Sequence, residues 1–114
     1  MKIAEIVGIA NGKVICGDEK LNTDLSHAFS SDLLSDVLTI NRSGILLITG
    51  VANLQTIRTA EMAEVSCILL VRNKRANQEM IDLARDNSLV IIESPISMFS
   101  ASGRLYQHGI QPLY

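Results

Sequence analysis

Three unbroken apolar runs punctuate the second half of the chain: Ile45-Leu46-Leu47-Ile48, Cys67-Ile68-Leu69-Leu70-Val71 and Leu89-Val90-Ile91-Ile92, each beginning 22 positions after the last. Continuous rather than alternating apolarity marks strands buried on both faces, as in a parallel sheet covered by helices. Each run leads through a polar loop into apolar residues at helical spacing: Leu54, Ile57 and Ala60, then Met80, Leu83 and Ala84, then Met98, Ala101 and Leu105. Asn53, Asn77 and Ser97 stand where a side-chain oxygen caps the free amides of each helix, and Gly109 stands where the last one ends. The pattern predicts three successive strand, loop and helix units. The period lies in the range of leucine-rich solenoids, but the Leu and Asn ladder of that repeat is missing, which favours a globular sheet.

The first third has a different rhythm. Ile3, Ile6, Val7 and Ala10 share one helical face, Asn11-Gly12 ends it, and Lys13 to Cys16 reads as a short strand. This part is expected to pack as a lid or an edge. A polar loop from Asp18 to Asp24 follows, then Ala28-Phe29 and the segment Ser30 to Leu38, which reads as a strand end running into a capped helix. No linker rich in Pro, Gly or Ser interrupts the chain, so one domain spanning residues 1–114 is expected. The fold class is α/β, three-layer-like, with a mainly parallel central sheet built from repeated strand-helix units. Right-handed crossovers gather the loops after the strands along one edge, where open α/β sheets bind ligands.

Composition narrows the function more than the fold. Apolar residues make up 47% of the chain but aromatic ones only 4%, so the core is built from Ile, Leu, Val, Ala and Met. Ten basic against twelve acidic residues leave a formal charge of −2, without the broad basic footprint of a nucleic-acid binder. The apolar runs fall far short of the roughly 20 residues needed to span a bilayer. With no cationic start ahead of a long apolar stretch, the N-terminus does not read as a secretion signal, and a cytoplasmic location with no membrane partner is expected. Cys16 and Cys67 stand apart from each other and from both histidines, so two reduced, buried thiols are expected rather than a metal or redox pair.

Candidate chemistry is sparse. Gly44 to Gly50 carries neither G-x-x-x-x-G-K nor G-x-G-x-x-G, which argues against nucleotide hydrolysis. His27 and His108 lie in no nucleophile motif and read as surface or half-buried histidines. Asp32 and Asp36, placed on one helix four residues apart, share a face and form a carboxylate pair, yet Asp32 in a first turn also gains from the helix dipole. Structural or interface use of the pair is favoured over metal binding. Arg72-Asn73-Lys74-Arg75 follows the second run of the repeat and is the best anion-binding candidate, against the alternative of a charged solvent-exposed turn. Thr49-Gly50 and Asn53 have the same two readings, close approach of a ligand or turn and cap chemistry.

Three segments, Ser31-Asp32-Leu33-Leu34-Ser35-Asp36-Val37-Leu38, Leu47-Ile48-Thr49-Gly50 and Pro95-Ile96-Ser97-Met98-Phe99-Ser100-Ala101, resemble the DRTGG domain family over nearly the whole chain. Members are similar to the N-terminal domain of HPr kinase and occur as regulatory parts of phosphotransacetylases and CBS-containing pyrophosphatases. Val51-Ala52 stands where the family has Asp-Arg, and Val71-Arg72-Asn73 where it has Thr-Gly-Gly. The resemblance implies an accessory module, often at a dimer interface, without catalysis of its own and without a cofactor. The expected function is a stand-alone homodimeric regulatory module that recognises a partner protein, such as a partner enzyme, or a small anionic metabolite of nucleotide or phosphate type. Its candidate ligand-binding residues are Ser31, Asp32, Thr49, Gly50, Asn53, Arg72, Asn73, Lys74 and Ser97; no residue is assigned to catalysis or to a metal. The alternatives are a small enzyme with an active site assembled across a dimer, using Asp32, Asp36 or His27, and a purely structural dimerisation domain.

Overall fold

The repeat accounts for the centre of the molecule. In the computed structural model, which describes residues 1–114, β3 (Ile45–Thr49), β4 (Val65–Leu70) and β5 (Val90–Glu93) lie side by side and parallel. Each leads into a helix: α3 (Leu54–Met62), α4 (Gln78–Asp86) and α5 (Met98–Gln107). The three predicted caps are in place, with Asn53 accepting from the Thr56 amide, Asn77 from that of Met80 and Ser97 from that of Ser100. The N-terminal segment forms α1 (Ile3–Ile9) and β1 (Lys13–Cys16), and β1 closes one sheet edge antiparallel to β5. On the other side β2 (His27–Ser30) pairs parallel with β3, followed in sequence by the short helix α2 (Leu34–Val37).

Chain order and sheet order diverge at the end. After α5 the chain crosses the sheet to add β6 (Gln111–Pro112) beside β2, giving the order β1-β5-β4-β3-β2-β6. Pro112, with no N–H to give a ladder, is tolerated because β6 is an edge strand.

Alternation along the strands divides the core. Leu46, Ile48, Cys67 and Leu69 face α1 and α5 within one cluster of 14 buried residues. Ile45, Leu47, Ile68 and Leu70 face α2, α3 and α4 within another of 13. Two cores of nearly equal size make the sheet the middle of three layers, which is why its strands are apolar at every position. Cys16 and Cys67 are free and buried, and burial pushes both thiols up from their ordinary value. No helix is long and apolar enough to cross a membrane.

A fully buried side chain in the centre of this sheet should matter far more than an apolar one on its rim. Ile68→Ala, at a residue with 0% exposure, is expected to cost ~2–5 kcal/mol in urea denaturation. Met62→Ala, at a residue 62% exposed, is expected to stay within ~0.5 kcal/mol.

Candidate functional site

Because β2, β3, β4 and β5 are parallel, their carboxyl ends gather on one side of the molecule. The chain leaves β4 towards α4 on one face and leaves β5 towards α5 on the other. Neighbouring strands whose connections part in this way open a crevice between them, the usual ligand position in open α/β sheets.

Next to that crevice, four of the candidate residues converge. Thr49 is fully buried at the end of β3, and its hydroxyl donates to Asp32 Oδ1 at 3.2 Å. The Gly50 amide donates to the same oxygen at 2.7 Å, and Arg72 Nη1 donates to Asp32 Oδ2 at 3.0 Å. The guanidinium lies directly over Gly50, in the space a Cβ there would need, so glycine is required for the close approach. The Gly50 amide, more than any other group, holds the Asp32 carboxyl below its ordinary range; Arg72 and Thr49 add to this against the opposing effect of partial burial. The ends of β2, β3 and β4 are thereby tied through one half-exposed carboxylate.

Asp32 does not belong to α2, contrary to the helical spacing proposed for it. The Leu33 amide donates to the Ser31 hydroxyl at 3.0 Å, and this local turn holds the backbone extended until the helix starts at Leu34. Asp32 therefore turns to Gly50 and Arg72, and the shared helical face with Asp36 is lost. No group of three or more His, Cys, Asp or Glu side chains is arranged to hold a metal ion.

Arg72 and Asn73 have positive φ, 59° and 61°. Three other non-glycine residues share this feature, Asn11, Glu64 and Ser88, but each directly follows a helix C-cap, where a left-handed residue ends the helix. Only the Arg72-Asn73 pair has no helix to end. Its amides donate instead to Ile96 O at 2.7 Å and Ser94 O at 3.0 Å, strapping the loop after β4 to the loop after β5.

The other candidate residues are placed differently. Ser31 shapes the turn before α2, and Asn53 and Ser97 are engaged as helix caps. Lys74 is exposed and makes no side-chain hydrogen bond or ion pair, whereas Arg75 lies 3.8 Å from Glu93. Two of the three cations in the basic loop thus have carboxylate partners. His27 lies between Ser26 Oγ at 2.8 Å and Arg42 Nη1 at 3.1 Å; because the guanidinium can only donate, Nε2 accepts and Nδ1 carries the proton. His108 Nδ1 is 2.8 Å from the Arg104 carbonyl, which fixes its proton on that nitrogen.

Clefts open at several places on the surface. A polar one of about 160 Å³ lies between the ends of β4 and β5, lined by Asn11, Lys13, Asn73, Arg75, Glu93 and Ser94. Lys13 and Glu93 entered no sequence motif, since only the antiparallel register of β1 against β5 sets them opposite each other. An apolar groove of about 320 Å³ runs beside α5 past Phe99 and Tyr106. A third, of about 420 Å³, lies between Phe29, Ile40, Arg42 and Tyr114.

Comparison with known proteins follows the same outline. The DRTGG domain profile matches residues 5–108. The crystal structure of the CBS and DRTGG domains of the regulatory region of Clostridium perfringens pyrophosphatase, complexed with its activator diadenosine tetraphosphate, has the same fold. Its TM-score is 0.75 at 18% identity, over 93% of this chain and 46% of that one. The present chain thus spans less than half the length of that regulatory region. No curated protein sequence matches it.

Stability measurements on three positions test the site geometry. Arg72→Ala loses the ion pair and keeps the left-handed strain, while Arg72→Gly loses the pair and relieves the strain, so the glycine variant is expected to be the more stable by ~1 kcal/mol in urea denaturation. Asn73→Gly should be neutral or stabilising for the same reason. Asp32, whose folded carboxyl is held low, contributes stability above the unfolded carboxylate pKa of about 3.9 that disappears as pH falls through the folded value. The stability difference between wild type and Asp32→Asn is therefore expected to be constant near neutral pH, to shrink below about pH 4 and to diminish in high salt.

Proposed function

Because this chain belongs to the DRTGG domain family, we propose that it is a non-catalytic regulatory module that recognises a small anionic ligand, of nucleotide or phosphate type, at the loops after its parallel strands. The observation that carries this reading is the convergence of Asp32, Thr49, Gly50 and Arg72 at the carboxyl edge of the sheet. Arg72 is 45% exposed and uses one nitrogen on Asp32, so most of its five donors remain for a phosphate oxygen. Gly50, with no side chain, leaves room for that guanidinium over the end of β3. The pyrophosphatase regulatory region of the same fold takes a dinucleoside tetraphosphate, which supports a nucleotide as the first ligand class to try. On this reading residues 1–114 act as one unit in the cytoplasm.

A second reading, homodimerisation, is favoured by the groove beside α5. Phe99 is 89% exposed and Tyr106 64%, and both border an apolar groove on the same face. A projecting ring and a receiving groove on one surface suit a two-fold interface, in which each patch meets its own copy. The same surface also suits a partner protein.

Thermal unfolding with a panel of nucleotides, acyl phosphates and inorganic anions tests the ligand. A true ligand at a hundred times its Kd should add ~2.7 kcal/mol of stability in wild type and much less in Arg72→Ala. No shift with any of them would leave the partner-protein reading alone. A turnover screen with Asp36→Asn and Arg72→Ala addresses the rival enzyme: activity lost in both variants would establish it. Light scattering of wild type and Phe99→Glu tests the dimer, expected to dissociate in the variant; a wild-type monomer at high concentration would exclude it.

A further inference from the structure

We infer that the polar cleft between the ends of β4 and β5 is an oxyanion subsite, in which Lys13 from the edge strand and Arg75 from the loop after β4 together hold one phosphate-type group. This deepens the reading of the loop edge as a ligand site and rests on it.

Four observations combine. The cleft lies where the connections after β4 and β5 part to opposite faces of the sheet. Its lining contains no apolar side chain other than Pro95, so its natural content is water or a polar group. Three of its polar side chains, Asn11, Lys13 and Asn73, are exposed and make no hydrogen bond or ion pair within the protein. One of these, Asn73, belongs to the left-handed pair that ends no helix, and backbone held in such a conformation is commonly retained where it positions a ligand contact.

The charge of the cleft decides the sign of the ligand. Glu93 has a side chain only 13% exposed, and both its oxygens are in use: Oε2 accepts the Ala76 amide at 2.8 Å and Oε1 faces Arg75 at 3.8 Å. Its role is to hold the Arg75 loop in position. Arg75 is 71% exposed and keeps donors beyond that contact, and Lys13 has no carboxylate within ion-pair distance. Two cations against one committed carboxylate leave a net charge of +1, with two amide side chains as further donors. That set fits an oxyanion and opposes a cation. A volume of about 160 Å³ admits a phosphate group, and the cleft opens to solvent, so the remainder of a larger ligand would extend outside it.

Because Lys13 sits on β1 and Arg75 on the loop after β4, an anion between them ties the antiparallel edge to the end of the parallel sheet. Binding would then be felt in α1 and β1, which have no other link to the basic loop through side-chain charge.

The test is amide NMR titration of the full chain with inorganic phosphate and, separately, with ADP, using wild type, Lys13→Ala, Lys13→Arg and Arg72→Ala. Saturable shifts at residues 11–13, 73–75 and 93–95 are expected, with affinity reduced about tenfold or more in Lys13→Ala and largely restored in Lys13→Arg. Shifts with phosphate identify a free oxyanion as sufficient, and shifts with ADP alone identify the phosphate of a nucleotide; both support the subsite. Binding that moves Asp32, Gly50 and Arg72 and is lost in Arg72→Ala but unchanged in Lys13→Ala would overturn the subsite while leaving the loop-edge reading standing. Absence of any saturable shift with either anion would overturn the subsite and count against the small-anion reading as well.

Discussion

Burial of β3, β4 and β5 on both faces is the constraint from which the rest of the molecule follows. A strand with apolar residues at every position must be covered twice, and one layer of helices cannot do it. The chain meets this by sending α2, α3 and α4 to one face and returning α1 and α5 to the other. Parallel pairing then leaves no freedom about the ends: every central strand finishes on the same side of the sheet. The polar edge of the protein is thus a by-product of how its apolar centre is covered.

That edge needs its own fastening, because loops following parallel strands have no ladder to join. Here backbone and side chain share the work. The amides of Arg72 and Asn73 strap the loop after β4 to carbonyls after β5, and the Arg72 side chain reaches in the other direction to Asp32 beside β3. One residue thus joins both neighbours of its strand. Arg72 and Asn73 both hold the left-handed backbone that glycine adopts without strain. For a non-glycine residue the strain costs on the order of 1 kcal/mol, and at position 72 it comes with a guanidinium placed against Asp32.

Much of this was legible in the residues because apolar runs, helical spacing and caps are local signals. The three central strands, their helices, the caps Asn53, Asn77 and Ser97 and the edge strand from Lys13 to Cys16 all fall where the pattern puts them. The position of Asp32 was not legible, since spacing to Asp36 says nothing about a carboxylate that leaves its own segment to meet a distant amide. Nor was β6, whose two residues carry no strand signal of their own and are extended only because β2 offers them a partner. Lys13 and Glu93 are 80 positions apart, and only antiparallel register makes them neighbours. What local pattern misses in this protein is therefore whatever tertiary pairing sets: distant polar contacts and a two-residue edge strand.

Magnitudes indicate why the Asp32–Arg72 contact suits a regulatory surface better than a rigid one. An ion pair with both partners close to half exposed contributes at most about 1 kcal/mol, and the Gly50 amide that also holds Asp32 does not depend on it. Redirecting Arg72 towards a ligand therefore leaves the carboxylate satisfied and the strand ends still joined. A ligand of about 1 μM affinity corresponds to roughly −8 kcal/mol, so the rearrangement would take only a small part of its binding free energy. A buried pair in the same place would resist far more strongly, since breaking one leaves an uncompensated charge at a cost of about 3–5 kcal/mol. The half-exposed position of the pair, at the junction of three strand ends, keeps the cost of the proposed exchange of partners low.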